Sequence, residues 1–134
     1  IPELDSYPEG NNQAWVFLKE VPDPTRYGVA TLGTTTKRFL REIVEKPPSV
    51  ELFDNTKRYL AVIGIYVYPP DVFKVIKTLK PSARGELEIT DVNNHYIRSN
   101  TLNWCELSQW WTDAGTYESL AYANQMVREQ PPLF

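Results

Sequence analysis

The stretch KPSARGELEITD, residues 80 to 91, gathers Arg84, Glu86, Glu88 and Asp91 around one glycine, Gly85. A guanidinium is a planar fork of donors that matches phosphate oxygens, so Arg84 is a candidate anion ligand. Glycine adopts backbone conformations closed to other residues, which would let Gly85 turn Arg84 inward. Glu86 and Glu88 stand where a helix would begin, and the helix dipole favours negative charge there. The same residues also read as a dressed helix N-terminus with Arg84 as its ion partner. Sequence leaves both readings open.

A second pair, Glu45 and Lys46, closes a strand-like run just before Pro47. Adjacent strand residues point to opposite faces unless the strand is breaking up. In an open α/β sheet the ends of the strands commonly line the ligand crevice. The plain alternative is a solvated acid–base pair before a turn. In WWTDAGT, residues 110 to 116, Asp113 precedes a small-residue turn. It could offer a hard divalent cation an oxygen ligand, or bond its own backbone as a turn residue. In DPTRYG, Tyr27 and Gly28 place a ring and an exposed amide where a sugar could meet them.

Other residues point away from chemistry. His95 has no second histidine to share a zinc ion and is read as a surface residue. Cys105 lies in an apolar run and is expected to be an inert core thiol. Trp110 and Trp111 are read as packing. The sequence contains neither G-x-x-x-x-G-K-[ST] nor G-x-G-x-x-G, so it carries no phosphate-cradling glycine loop.

The elements that must hold these residues are legible from periodicity. Runs 14 to 21, 26 to 32, 38 to 46 and 60 to 68 read as strands, with a hairpin through GTTT joining the second and third. LAVIGIYVY, 60 to 68, is nearly all apolar, the pattern of a strand covered on both faces. Pro69 and Pro70 then open a helix over 71 to 79, with Val72, Val75, Ile76 and Leu79 on one face. A second helix over 87 to 99 carries Ile89, Val92 and Tyr96 on one stripe. LNWCEL, 102 to 107, is a short strand, and Thr116 caps a last helix that Pro131 stops. Residues 1 to 13 form a poorly defined opening segment. Strands interleaved with helices predict an α/β fold with a mixed sheet.

Composition sets the bounds. With 134 residues the chain fits one domain. A net charge of −3 gives no general basic field for nucleic acid or an anionic membrane. No apolar run is long enough to span a bilayer. The single cysteine cannot form an internal disulfide, so a cytoplasmic setting is expected. The chain opens on Ile1 rather than Met with no signal-peptide pattern, and is expected to begin inside a longer protein.

Taken in order, DPTRYGVA, EIVEKP, LAVIGIYVY, KPSARGELEITD and WWTDAGT resemble the later half of the sugar-1-phosphate nucleotidylyltransferases. They are most similar to the glucose-1-phosphate thymidylyltransferases, over nearly all of the chain from Ala14 onward. The resemblance implies the later half of a Rossmann-like nucleotide-diphospho-sugar transferase fold. It implies transfer of a nucleotidyl group from a nucleoside triphosphate to a sugar 1-phosphate, with magnesium. It makes Tyr27, Gly28, Glu45 and the backbone of Val62 sugar contacts, and Lys46 and Arg84 phosphate contacts. Asp113 becomes one of two magnesium carboxylates. The glycine-rich nucleotide loop and the other metal aspartate of that family are absent. The chain is therefore expected to be a sugar-binding half that is inactive alone, either within a homo-oligomer or joined to the missing N-terminal half. Its first strand is expected to be left as an exposed edge. The alternative is a non-catalytic module that binds a sugar phosphate or nucleotide sugar.

Overall fold

The computed structural model describes residues 13–33, 39–49 and 59–131. Its elements are β1 (Ala14–Glu20), a 3-10 turn (Pro24–Arg26), β2 (Gly28–Leu32), β3 (Leu40–Glu45), β4 (Leu60–Val67), α1 (Val72–Thr78), α2 (Ile89–Arg98), β5 (Leu102–Glu106) and α3 (Tyr117–Glu129). The strands form one mixed sheet in the order β3-β2-β4-β1-β5. Only β1 and β5 run parallel; β1 with β4, β2 with β3, and β2 with β4 are antiparallel. The expected α/β class and strand positions hold. Residues 1–12 of the opening segment, residues 34–36 of the GTTT turn and the part of the next loop that contains Asp54 and Asn55 lie outside the described residues.

One expectation about the sheet is overturned. β1 is not an edge, because it lies between β4 and β5 and pairs with both. Its apolar run is also covered on both faces: Val16 and Leu18 are fully buried and Phe17 nearly so. The incomplete flank is on β4 instead. Among the described residues, β2 pairs with β4 only at Leu60 and Ala61.

β4 is also bent. Val16 faces Tyr66 while Leu18 faces Val62, so four steps along β4 match two along β1. Gly64 lies in this bulge with φ +82°, a conformation that side chains resist. The bulge lies beside Val62.

Two apolar clusters hold the sheet to the helices. One joins Val16, Leu18, Ala30, Leu40, Ile43 and Leu60 of the sheet, with Ile97 of α2 packed against it. The other places Val72, Val75, Val92 and Tyr96 against Ala14. The helical stripes differ in detail from expectation. Val72 and Val75 are buried, but Ile76 is exposed. On α2 Val92 and Tyr96 are buried, while Ile89, at the first helical position, is exposed and Thr90 and Asn93 are buried in its place. Polar partners explain the rotation: Asn93 Oδ1 accepts the Tyr68 hydroxyl at 2.6 Å, and Thr90 has its own acceptor, described below. Cys105 is half-buried rather than a core thiol, and His95 is exposed as expected. Thr116 caps α3 as predicted, in a reciprocal capping box with Ser119.

Candidate functional site

The β2–β3 ladder assembles the first part of the site. Its register sets Gly28 opposite Glu45, and the Lys46 amide donates to the Tyr27 carbonyl at 3.0 Å. Two motifs separated by a hairpin therefore lie side by side. The strand stops at Glu45 because Lys46 takes φ +41°, in the left-handed region. That breaks the in–out alternation of the strand at the acid–base pair.

Glu45 is then fixed by α2. Thr90 Oγ1 donates to Glu45 Oε2 at 2.5 Å, and Thr90 is buried. One turn further along, Asn94 grips the β3 backbone twice. Its Oδ1 accepts the Ile43 amide and its Nδ2 donates to the Ile43 carbonyl, both at 2.8 Å. Gly28 makes room for this arrangement. A Cβ there would lie 3.3 Å from both Glu45 Oε2 and Thr90 Oγ1 and 3.2 Å from Ile43 Cγ2. The expected exposed amide at Gly28 is corrected accordingly: Gly28 is buried, with Ile43 and Glu45 of β3 and Thr90 of α2 packed about it.

The charged stretch of residues 82 to 88 is a closed turn. Gly85 donates to the Ser82 carbonyl and Ser82 to the Glu86 carbonyl, each at 2.8 Å, with Gly85 at φ +77°. Gly85 thus takes a conformation closed to other residues, as expected. The Arg84 fork is shared among three carboxylates. Nη2 is 3.1 Å from Glu86, while Nη1 is 3.4 Å from Glu88 and 4.0 Å from Glu45. Glu88 is further held by the Ser82 hydroxyl at 2.9 Å. Glu86 and Glu88 lie just before α2, so the ion-partner reading of this stretch describes the contacts that are present. Arg84 also reaches Glu45, which brings two sequence-distant candidates to one sheet end.

A second cluster adjoins through Tyr27. Its ring meets Trp111 edge-on, with centroids 5.7 Å apart. Asp113 Oδ2 accepts from Arg26 Nη2 at 3.0 Å, and the Arg26 guanidinium lies 5.9 Å from the Tyr27 ring centroid. Asp113 is therefore no simple turn former. Burial pushes the Tyr27 phenol above its ordinary value, and the charge of Asp113 adds to the effect. Tyr66 is pushed up in the same sense, by burial first and the Glu45 charge second. Val62 is half-buried beside the bulge and packs against the core cluster.

Sequence reasoning missed Thr90, Asn94, Tyr66 and Arg26. Arg26 directly precedes the selected Tyr27, but its partner is 87 residues away. Thr90 and Asn94 are four apart on one helix, a spacing that signals a shared polar face once the helix is placed. Among the described residues no three His, Cys, Asp or Glu side chains gather as a metal site.

Residues 4–130 match the family model described as Nucleotidyl transferase. The chain is 34% identical over 131 residues to the low-salt glycan biosynthesis nucleotidyltransferase Agl11 of Haloferax volcanii, covering 97% of this chain and 34% of that protein. It is 38% identical over 117 residues to a glucose-1-phosphate thymidylyltransferase of Neisseria meningitidis, covering 86% of this chain and 38% of the relative. A solved Bacillus anthracis protein described as a glucose-1-phosphate thymidylyltransferase, in complex with a sucrose, superposes with a TM-score of 0.78 at 45% identity. That match covers 99% of this chain and 50% of the other. A UDP-glucose pyrophosphorylase complexed with UDP-glucose aligns with a TM-score of 0.68 at 26% identity, over 84% of this chain and 45% of that one. The chain thus spans between a third and a half of the length of each of these four proteins. No helix among the described residues is long and apolar enough to cross a membrane.

Proposed function

The chain belongs to the nucleotidyl transferase family, and from that premise we propose that it supplies the sugar-phosphate site of a sugar-1-phosphate nucleotidyltransferase. The reaction is glucose 1-phosphate with dTTP, giving dTDP-glucose and pyrophosphate in the complete protein. A phosphate oxygen of the sugar attacks the α-phosphorus and the bond to pyrophosphate breaks. No protein nucleophile is required, so the side chains position groups and neutralise charge.

The observation that carries this reading is the meeting of Glu45 and Arg84 at one end of the sheet, beside Lys46. Glu45 has one oxygen fixed by Thr90, and its carboxylate can accept sugar hydroxyls. Lys46 and Arg84 supply the positive charge for the phosphate. Tyr27 borders the sugar, Gly28 supports Glu45 from the interior, and the Val62 backbone lines the sugar where the bulge bends β4. Asp113 is proposed as one carboxylate of a magnesium site. A hard cation takes several oxygen ligands, whereas Asp113 stands alone and is paired with Arg26. The described residues do not complete such a site, and no step is assigned to the metal.

Calorimetric titration with glucose 1-phosphate tests the assignment. Lys46→Ala and Arg84→Ala should each weaken binding by roughly 1.5–3 kcal/mol, the worth of a charge-assisted contact. Unchanged affinity in both variants would reduce the pair to surface charge. With dTTP added, this chain alone should release no pyrophosphate, since it has no glycine loop for the triphosphate. Turnover well above background would overturn that expectation.

A further inference from the structure

The loop that carries Trp111 and Asp113 begins where the parallel ladder between β1 and β5 stops. The last matched pair is Leu18 with Glu106, followed by one bond from the Leu107 amide to the Leu18 carbonyl at 2.8 Å. Beyond it, Lys19 takes over. Its Nζ lies 3.0 Å from the Leu107 carbonyl oxygen, 2.9 Å from that of Gln109 and 3.4 Å from that of Ser108. Three consecutive carbonyls turn to one point, and an ammonium offers three donors and no acceptor to meet them. Carbonyls of neighbouring residues repel when aimed together, so this turn needs a cation at its centre.

The far end of the same loop is held by Arg26 on Asp113 and by Tyr27 against Trp111. Lys19, Arg26 and Tyr27 all belong to the short segment that ends β1 and leads into β2. One segment therefore grips the loop at its base and at its tip. We propose that Lys19 is a positioning residue, fixing the base of the loop through three backbone carbonyls so that Asp113 and Trp111 meet Arg26 and Tyr27. Lys19 touches no substrate in this scheme. Its importance to catalysis rests on the functional reading above, while its grip on the loop does not.

The test compares Lys19→Met, which keeps the apolar stem and removes the donors, with Lys19→Arg, which restores them. In the full chain, amide hydrogen exchange should quicken roughly tenfold or more over residues 108 to 115 in Lys19→Met, the effect of losing charge-assisted bonds. Exchange along the β1–β4 ladder should hold. The ring-proton shifts of Tyr27, set by the adjacent indole, should move toward those of an unpacked ring, and Lys19→Arg should return both readouts. A role confined to fold stability would instead speed exchange across the whole sheet and leave the Tyr27 shifts in place. That result, or a loop unaffected by Lys19→Met, overturns the proposal. Glucose 1-phosphate binding separates the two readings. If wild type binds it, Lys19→Met should bind it several-fold more weakly, and equal affinity would remove Lys19 from the site. If wild type does not bind it, the functional reading fails, and the exchange and ring-shift results still decide whether Lys19 holds the loop.

Discussion

Glu45 owes its orientation to an absence. The missing side chain of Gly28 lets Thr90 close on the carboxylate, and an added Cβ would crowd both oxygens and Ile43 at once. Gly28→Ala should therefore destabilise the chain by about 1–3 kcal/mol, the usual range for overpacking. It should also weaken glucose 1-phosphate binding by more than a distant core substitution of equal stability cost. Melting curves beside calorimetry check both parts, and an unchanged affinity would detach Gly28 from Glu45. Asp113 allows a second test. Asp113→Asn removes a charge that raises the Tyr27 phenol, so that phenol should titrate at lower pH, though still above its ordinary value because burial remains the larger cause. The melting point should change little, since the Arg26 side chain is half exposed and the isosteric amide keeps a hydrogen-bond acceptor for it. NMR titration of ring-labelled tyrosine reads the shift. No movement in Tyr27 would show that the carboxylate is not its neighbour in solution.

β3 is one of the two edge strands of the described sheet, and α2 holds it by a side chain acting as a backbone partner. Asn94 supplies a donor and an acceptor to Ile43, the two groups a neighbouring strand would have supplied. Asn94→Ala leaves a partly buried amide and carbonyl unsatisfied, a loss of roughly 1–3 kcal/mol. Hydrogen exchange should show the effect concentrated at β3, with β1 and β4 spared. Exchange that rises evenly over the sheet would mean that Asn94 acts on global stability alone. The helices show how far pattern reading extends. Val72, Val75, Val92 and Tyr96 were legible because apolar residues at helical spacing must share a face. Ile76 and Ile89 were misplaced because the helical stripe gives the direction of a face only approximately. Thr90 found an acceptor inside in Glu45, and Asn93 a donor in the Tyr68 hydroxyl, and these partners turned α2 toward themselves.

The packing of tyrosines between sheet and helices gives the molecule a pH limit. Tyr68 and Tyr96 stack with centroids 5.8 Å apart, and burial raises both phenols well above the ordinary value of 10.0. The Tyr96 hydroxyl also donates to Asp71 Oδ1 at 2.7 Å, which further favours its protonated form. The folded chain then holds these protons more tightly than the unfolded chain. Their contribution to stability is complete below pH 10 and is lost as pH rises through the raised values. Melting temperature should be nearly level from about pH 8 to 9 and fall steeply by about pH 11. Tyr68→Phe should flatten part of that decline. A melting curve that ignores alkaline pH would argue against buried phenols.

The strands, the Thr116 cap and the turn at Gly85 were readable because each depends on neighbours within a few residues. Apolar alternation, a Thr before a helix and a glycine in a charged turn impose their geometry locally. The pairing of Tyr27 and Gly28 with Glu45 and Lys46 was half legible, since two strand-like runs close together in sequence favour a hairpin. The rest depended on the fold. Arg26 meets Asp113, and Lys19 meets the carbonyls of residues 107 to 109, across nearly ninety positions. No periodicity records such contacts, because they arise only after the parallel pairing of β1 and β5 fixes which loop lies over which strand end. The same holds for the interior place of β1: its apolar run demanded cover on both faces, but only the assembled sheet determined which strands pair along its two edges.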